Sequence, residues 1–253
     1  MWQWFRNNRR KKILATPFSS EWESHIQNNI PYYQYLNPEE KKRLKDLIQI
    51  FIAEKSWLGC NGLVLTDEIR VMIAAHACLM ILALPNDYYR NVESIYVYPS
   101  TIFPPENSAG FFEIRTTPMQ GAMPILGEAH HRGPVILVWD VVKKETRHPE
   151  HGHNVVYHEF AHKLDMLDGS ADGTPLLTTP EEYQRWVDVC SKEYLELCKK
   201  VDHGKPVFFD SYAATDEAEF FAVVTEYFFC KPENMKHCHP QLYQVLQDFY
   251  RQD

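Results

Sequence analysis

Residues 153–167 read His153-Asn-Val-Val-Tyr-His158-Glu159-Phe-Ala-His162-Lys-Leu-Asp165-Met-Leu, with the spacing of a helix rather than of a strand or loop. Val155, Val156, Phe160, Ala161 and Leu164 make the remaining faces apolar once His158, Glu159 and His162 are set aside. The helix therefore belongs in a core. Its histidines fall on a buried or cleft-lining face, where polar side chains need partners.

Within this helix His158-Glu159-Phe160-Ala161-His162 is an HExxH pattern. Residues four apart on a helix bring their Cβ atoms to roughly 5–6 Å, so two imidazoles can share one Zn²⁺ through bonds of about 2.0–2.1 Å. Glu159 projects beside the metal without binding it, where it can take a proton from metal-activated water and pass it to a leaving amine. The plainer alternative is a surface helix that happens to carry two histidines and a glutamate. The apolar flanks weigh against it.

A catalytic zinc wants a third protein ligand and an open position. Residues 210–222, Asp210-Ser-Tyr212-Ala-Ala-Thr-Asp216-Glu-Ala-Glu219-Phe-Phe-Ala, are the best downstream source. Glu219 and Glu226 lie seven apart on an otherwise apolar helix and share one stripe with Ala222 and Val223. Glu219 has a second reading, because with Asp216 as N-cap it occupies the third position of a capping box. Spacing leaves ligand and cap equally open. Asp165, three residues after His162, either accepts the free N–H of a ligand imidazole or is a solvated carboxylate. Glu226 has the same two kinds of reading, ligand support or an ordinary ion pair, and ranks below Asp165.

Outward from this helix, the first third of the chain reads as helical scaffold. Asn37-Pro38-Glu39-Glu40 is a helix start, followed by Leu44, Leu47, Ile48 and Phe51 at helical spacing. Thr66-Asp67-Glu68 begins a second, more apolar helix that ends near Pro85. Residues 94–98 and 135–142 read as strands, separated by loops punctuated with Pro and Gly. Residues 180–200 and 216–230 return to helical spacing. The expected class is α+β, mainly helical, with a small mixed sheet. One domain should cover residues 21–253, scaffold over about 21–90 and sheet plus metal-site helices over 91–253, preceded by a basic tail at 1–20.

That tail, with Arg6, Arg9, Arg10, Lys11 and Lys12 after Trp2, Trp4 and Phe5, is expected to be a solvated terminus rather than a membrane-surface arm. The net charge of −8 argues against direct nucleic-acid binding, which needs a basic face. No apolar run reaches the ~20 residues of a bilayer span. No secretory signal fits the first residues, so a cytoplasmic protein without stable membrane insertion is expected. The six cysteines form no CxxC pair and are expected to be reduced. Cys230, His237, Cys238 and His239 match no standard zinc spacing, and His130, His131, His148, His151 and His153 read as loop residues.

The segments HNVVYHEFAHKLDMLDG and SYAATDEAEFFAV together resemble the Mlc titration factor A family of cytosolic zinc peptidases, relatives of the anthrax lethal factor catalytic domain. TDEIRVMIAAHACL and GPVILVWDVV extend the resemblance over most of the chain. It implies a zincin-like fold, one Zn²⁺ on His158, His162 and Glu219, Glu159 as base, and Tyr212 as a donor to the developing oxyanion. It further implies aminopeptidase-like action on peptides or small amino-acid amides. It also implies a partner, the transcriptional repressor Mlc, and so a link to sugar-uptake control. By analogy with zinc peptidases, the strand at 135–142 would align an extended substrate. Two rivals stand beside this reading: a repressor-binding regulatory protein whose zinc is structural, and an amidase acting on small molecules.

Overall fold

The computed structural model describes residues 2–84, 87, 89–100 and 133–252. His130 and His131, and the Pro/Gly-punctuated loops between the two expected strands, lie outside the described residues.

The scaffold begins with α1 (Trp2–Leu14), α2 (Ser20–Asn29) and α3 (Pro38–Glu54). Asn37 caps α3 by accepting from the backbone N–H groups of Glu39 and Glu40, and Glu40 returns a bond to the Asn37 N–H. This closes the capping box that the sequence signals. The basic start of the chain is not a loose terminus. Arg10 forks onto the Glu54 carboxylate at 2.8 and 2.6 Å and Arg9 donates to the Ala53 carbonyl, so α1 lies along α3. A bidentate Arg–carboxylate pair fixes geometry as well as charge.

β1 (Ser56–Gly59) leads into α4 (Asp67–Met80), which Thr66 caps at the Ile69 N–H. From Val71 to Met80 every residue of α4 is buried, as expected of a helix apolar all round. It packs against α2, α3 and the helix that carries His158 and His162. The chain then returns through β2 (Ser94–Tyr98).

β3 (Val135–Val138) pairs with β2, Ile95 opposite Val135, and β2 pairs with β1, Ser94 opposite Ser56. Among the described residues the order is β1-β2-β3 and both pairings are parallel, where a mixed sheet is expected. An alternating pattern carries no strand direction; the α4 crossover between β1 and β2 sets it. A second difference follows at once. The strand expected over 135–142 ends at Val138, and Trp139–Arg147 form α5. Trp139, Val142 and Thr146 are its buried residues, a helical spacing hidden inside a continuous apolar run.

The second half is helical: α6 (Val155–Asp165), α7 (Pro180–Asp202), α8 (Glu217–Cys230), α9 (Pro232–Cys238) and α10 (Pro240–Tyr250). Aromatic contacts join the two halves. Phe160 of α6 meets Phe51 of α3 and Tyr89, with centroids 5.8 and 4.8 Å away, and Tyr32 meets Phe229 of α8 at 6.1 Å. Burying one such ring contributes roughly 1.5–3 kcal/mol. Among the described residues no helix is long and apolar enough to cross a membrane.

Candidate metal centre

Four backbone N–H groups at the start of α6 have no partner within the helix and need one elsewhere. Each has one here. Asn154 accepts from Val156 and Tyr157, the Glu145 carboxylate accepts from Val155 at 2.6 Å, and Glu226 accepts from Asn154 at 2.6 Å. The helix carrying His158 and His162 is therefore fixed at its entry by α5 and α8 together.

Its other end is fixed through Gly173. The Gly173 N–H donates to Asp165 Oδ2 at 3.0 Å and its carbonyl accepts from the Trp186 indole. Gly173 has φ +75°, and a Cβ there would lie 2.2 Å from the Glu217 carbonyl oxygen. Only glycine lets the loop pass this close to the start of α8.

With α6 and α8 so placed, three side chains converge. His158 Nε2 and His162 Nε2 lie 3.0 and 3.5 Å from Glu219 Oε2 and 3.3 Å from each other. Among the described residues this is the one group of three His, Cys, Asp or Glu side chains whose ligand atoms meet. Four-coordinate ligands bound at about 2.0–2.1 Å stand about 3.3 Å apart, so the spacing suits a tetrahedral ion. Glu219 Oε2 is buried and makes no hydrogen bond of good geometry, which a metal contact would answer. Asp216 does cap α8 at the Glu219 N–H, but the Glu219 side chain turns to the histidines. Asp216 is thus the cap, and the Glu219 carboxylate stands with the histidines as a candidate ligand.

Glu226, ranked below Asp165 from sequence, is the carboxylate that reaches a histidine. Its Oε1 lies 2.8 Å from His158 Nδ1. Asp165 faces the other way, toward Gly173, and burial pushes its carboxyl up to about 6 against the pull of that N–H. Burial disfavours a charged His158, but Glu219 and Glu226 outweigh it and hold the imidazole well above its ordinary value. Burial likewise works against a charged Glu219, and the two histidines outweigh it and keep that carboxyl low. The two imidazoles and the Glu219 carboxylate form a donor set suited to a divalent cation, with Glu226 behind His158.

Glu159 is half-buried beside His158. Tyr212 sits on the short 3-10 turn Ser211–Ala214, its backbone N–H held by Asp210 at 2.8 Å and its ring 6.1 Å from that of His158. Partial burial and the Glu219 carboxylate raise its phenol, so the hydroxyl keeps its proton at neutral pH. Glu145 and the bond from the Asn154 N–H to Glu226 escaped the sequence reading, which had weighed Glu226 only as histidine support or an ion-pair partner; Asn154 before an apolar-periodic run was the available sign of a capped start.

The other histidines have separate roles. His239 bonds Glu193 at 2.8 Å, His148 bonds Glu150 at 3.0 Å, and His153 lies between Asp210 and Glu226 at 3.7 and 4.0 Å. His239 stands before α10 and packs on Phe209, and Cys230 and Cys238 are free thiols.

Comparison with known proteins finds similarity along nearly the whole chain. The family model for the glucose-regulated metallo-peptidase M90 matches residues 2–251. An uncharacterized protein of Synechocystis sp. is 37% identical over 96% of this chain and 87% of its own length. Mlc titration factor A of Serratia proteamaculans is 30% identical over 100% of this chain and 92% of its own length. That of Pectobacterium atrosepticum is 31% identical over 100% and 91%.

Proposed function

The chain belongs to the glucose-regulated metallo-peptidase M90 family, and from that premise we propose that it hydrolyses peptide bonds at a zinc ion held by His158, His162 and Glu219. The observation that carries this reading is the convergence of the three ligand atoms within 3.0–3.5 Å, with Glu159 adjacent to the first. Two imidazoles and one carboxylate are a donor set suited to zinc, which when bound supplies a Lewis acid and lowers the pKa of water toward ~7.

The chain's own residues do the rest. Glu159 accepts a proton from the attacking water and returns it to the leaving amine. Tyr212, protonated and beside the site, donates to the oxygen that gains charge when the carbonyl carbon becomes tetrahedral. Glu226 accepts from His158 Nδ1, which leaves Nε2 as the lone-pair atom turned toward Glu219 and His162. β3 ends the described sheet and packs on α6, so an extended peptide added beside it would lie along the metal-site helix. Peptides and small amino-acid amides, cut in an aminopeptidase-like manner, are the substrate class we assign.

The name of the relatives points to a second role, contact with the repressor Mlc, which would place the chain in the cytoplasm. Glu159→Gln separates the two roles, since it keeps shape and ligands while removing the base. Hydrolysis of an amino-acid amide should fall by at least ~10²-fold, while metal content and Mlc binding persist. Undiminished hydrolysis by this variant would remove Glu159 from the reaction.

A further inference from the structure

Charge is unevenly placed along this chain. Five of its 26 Lys and Arg residues and none of its 34 Asp and Glu residues fall in residues 1–20, so a chain of net charge −8 begins with a purely basic segment. Most of that segment is α1, and α1 is fixed. Gln49 donates to the Thr16 carbonyl at 2.9 Å, Arg9 to the Ala53 carbonyl at 3.2 Å, and Arg10 forks onto Glu54. Contacts that climb α3 as they descend α1 make the two helices antiparallel. Trp4 stands ~9 Å further along α1 than the Arg10 anchor, so the first turn reaches past Glu54, the last residue of α3.

The two faces of α1 differ. Arg10 turns to α3, and Ile13, one turn on, is half-buried with it. Trp4, Phe5, Lys11 and Lys12, at i, i+1, i+7 and i+8, share the opposite face. All four are exposed, Trp4 at 63% and Phe5 at 60%, and the two rings meet edge to face at 5.0 Å. α1 holds no acidic residue of its own, and Glu54, the carboxylate it meets on α3, is occupied by the Arg10 fork. The outer face therefore offers two large aromatic rings beside two cations, on a helix held in place from behind.

A lipid surface with anionic headgroups answers both halves of this face. Aromatic rings settle at the boundary between headgroups and acyl chains, while Lys stems run along apolar surface and leave their charged ends among the phosphates. Duplex nucleic acid or an acidic peptide would answer the cations and leave the rings in water. Because α1 is already fixed on α3, docking orders no further backbone, which a loose terminus would have to do.

We propose that α1 docks the protein on an anionic lipid surface, with Trp4 and Phe5 entering the headgroup boundary and Lys11 and Lys12 against the lipid phosphates. Docking of this kind is peripheral and reversible, and it needs no membrane-spanning helix. It does not depend on the metal centre or on the peptidase reading.

Co-sedimentation of the intact, untagged chain with sucrose-loaded vesicles tests this, with equal parts phosphatidylcholine and phosphatidylglycerol in one set and phosphatidylcholine alone in the other. Binding to the mixed vesicles should be at least ~10-fold tighter and should weaken as salt rises to ~0.15 M. Lys11→Gln with Lys12→Gln should weaken it about 25-fold, about five-fold for each cation removed. Trp4→Ala with Phe5→Ala should weaken it at least about ten-fold. The urea midpoint of both variants should stay unchanged, because all four side chains are exposed. Equal binding to the two vesicle sets, no binding to either, or a variant of either pair that binds as tightly as the unaltered chain would overturn the proposal. A loss confined to the lysine pair would assign the face to an acidic macromolecule instead.

Discussion

Glu226 joins His158 to the start of its own helix: one carboxylate oxygen lies 2.8 Å from His158 Nδ1 and the other 2.6 Å from the backbone nitrogen of Asn154. A single buried side chain of α8 thus sets both the tautomer of a candidate ligand and the position of α6.

Glu226→Gln keeps an acceptor for one partner and loses the charge. Zinc affinity is expected to fall roughly 10–100-fold with little change in the urea midpoint. Glu226→Ala also strands the buried Asn154 N–H, at a cost of about 1–3 kcal/mol of stability. Metal titration beside urea unfolding reads both effects. Unchanged zinc affinity in Glu226→Gln would show that the clamp is structural only.

Gly173 sets how closely the loop after α6 approaches α8. A methyl group there meets the Glu217 backbone and occupies a left-handed conformation, so Gly173→Ala should cost roughly 3 kcal/mol. Thermal unfolding measures it. A loss below about 1 kcal/mol would mean that the loop relaxes away from α8.

What the sequence showed follows from what local patterns encode. Asn37, Thr66 and Asp216 announced three helices because capping chemistry is written within four residues. His158 and His162 were legible because one helix supplies both. Glu219 was ambiguous, since a cap and a ligand share its spacing, and the resemblance rather than the residues decided it. Asp165 and Glu226 were ranked in the wrong order because periodicity gives a face but not the neighbour across it. The Arg10–Glu54 fork spans 44 residues, beyond any local signal, so α1 read as a tail. Strand direction in the sheet was hidden for the same reason, and the switch from β3 into α5 because its helical spacing lies inside a continuous apolar run.

Acid should unfold the protein partly through His76. It is buried on α4, with Nδ1 2.9 Å from the Met72 carbonyl oxygen and its ring against Tyr157. Burial lowers its pKa to about 4 from 6.5. Between those values the unfolded chain binds more protons, so stability is full above pH ~6.5 and is lost as pH falls toward 4, by about 3 kcal/mol in all. Asp165, raised to about 6, works in the opposite direction over much of this window. The test is therefore a difference: His76→Gln should lose about 2–3 kcal/mol less than the unaltered protein between pH 7 and 4.5 in urea unfolding. Parallel losses would remove His76 from the acid response.

The most direct measurement for the metal centre is the metal content of the purified protein beside Glu219→Ala, with both checked for a folded state by circular dichroism. The expected result is one zinc per unaltered chain and an affinity at least ~10²-fold weaker in the variant. A folded Glu219→Ala protein that holds zinc as tightly as the unaltered chain, or an unaltered chain that takes up none when zinc is supplied, would contradict the assignment of His158, His162 and Glu219 as the site.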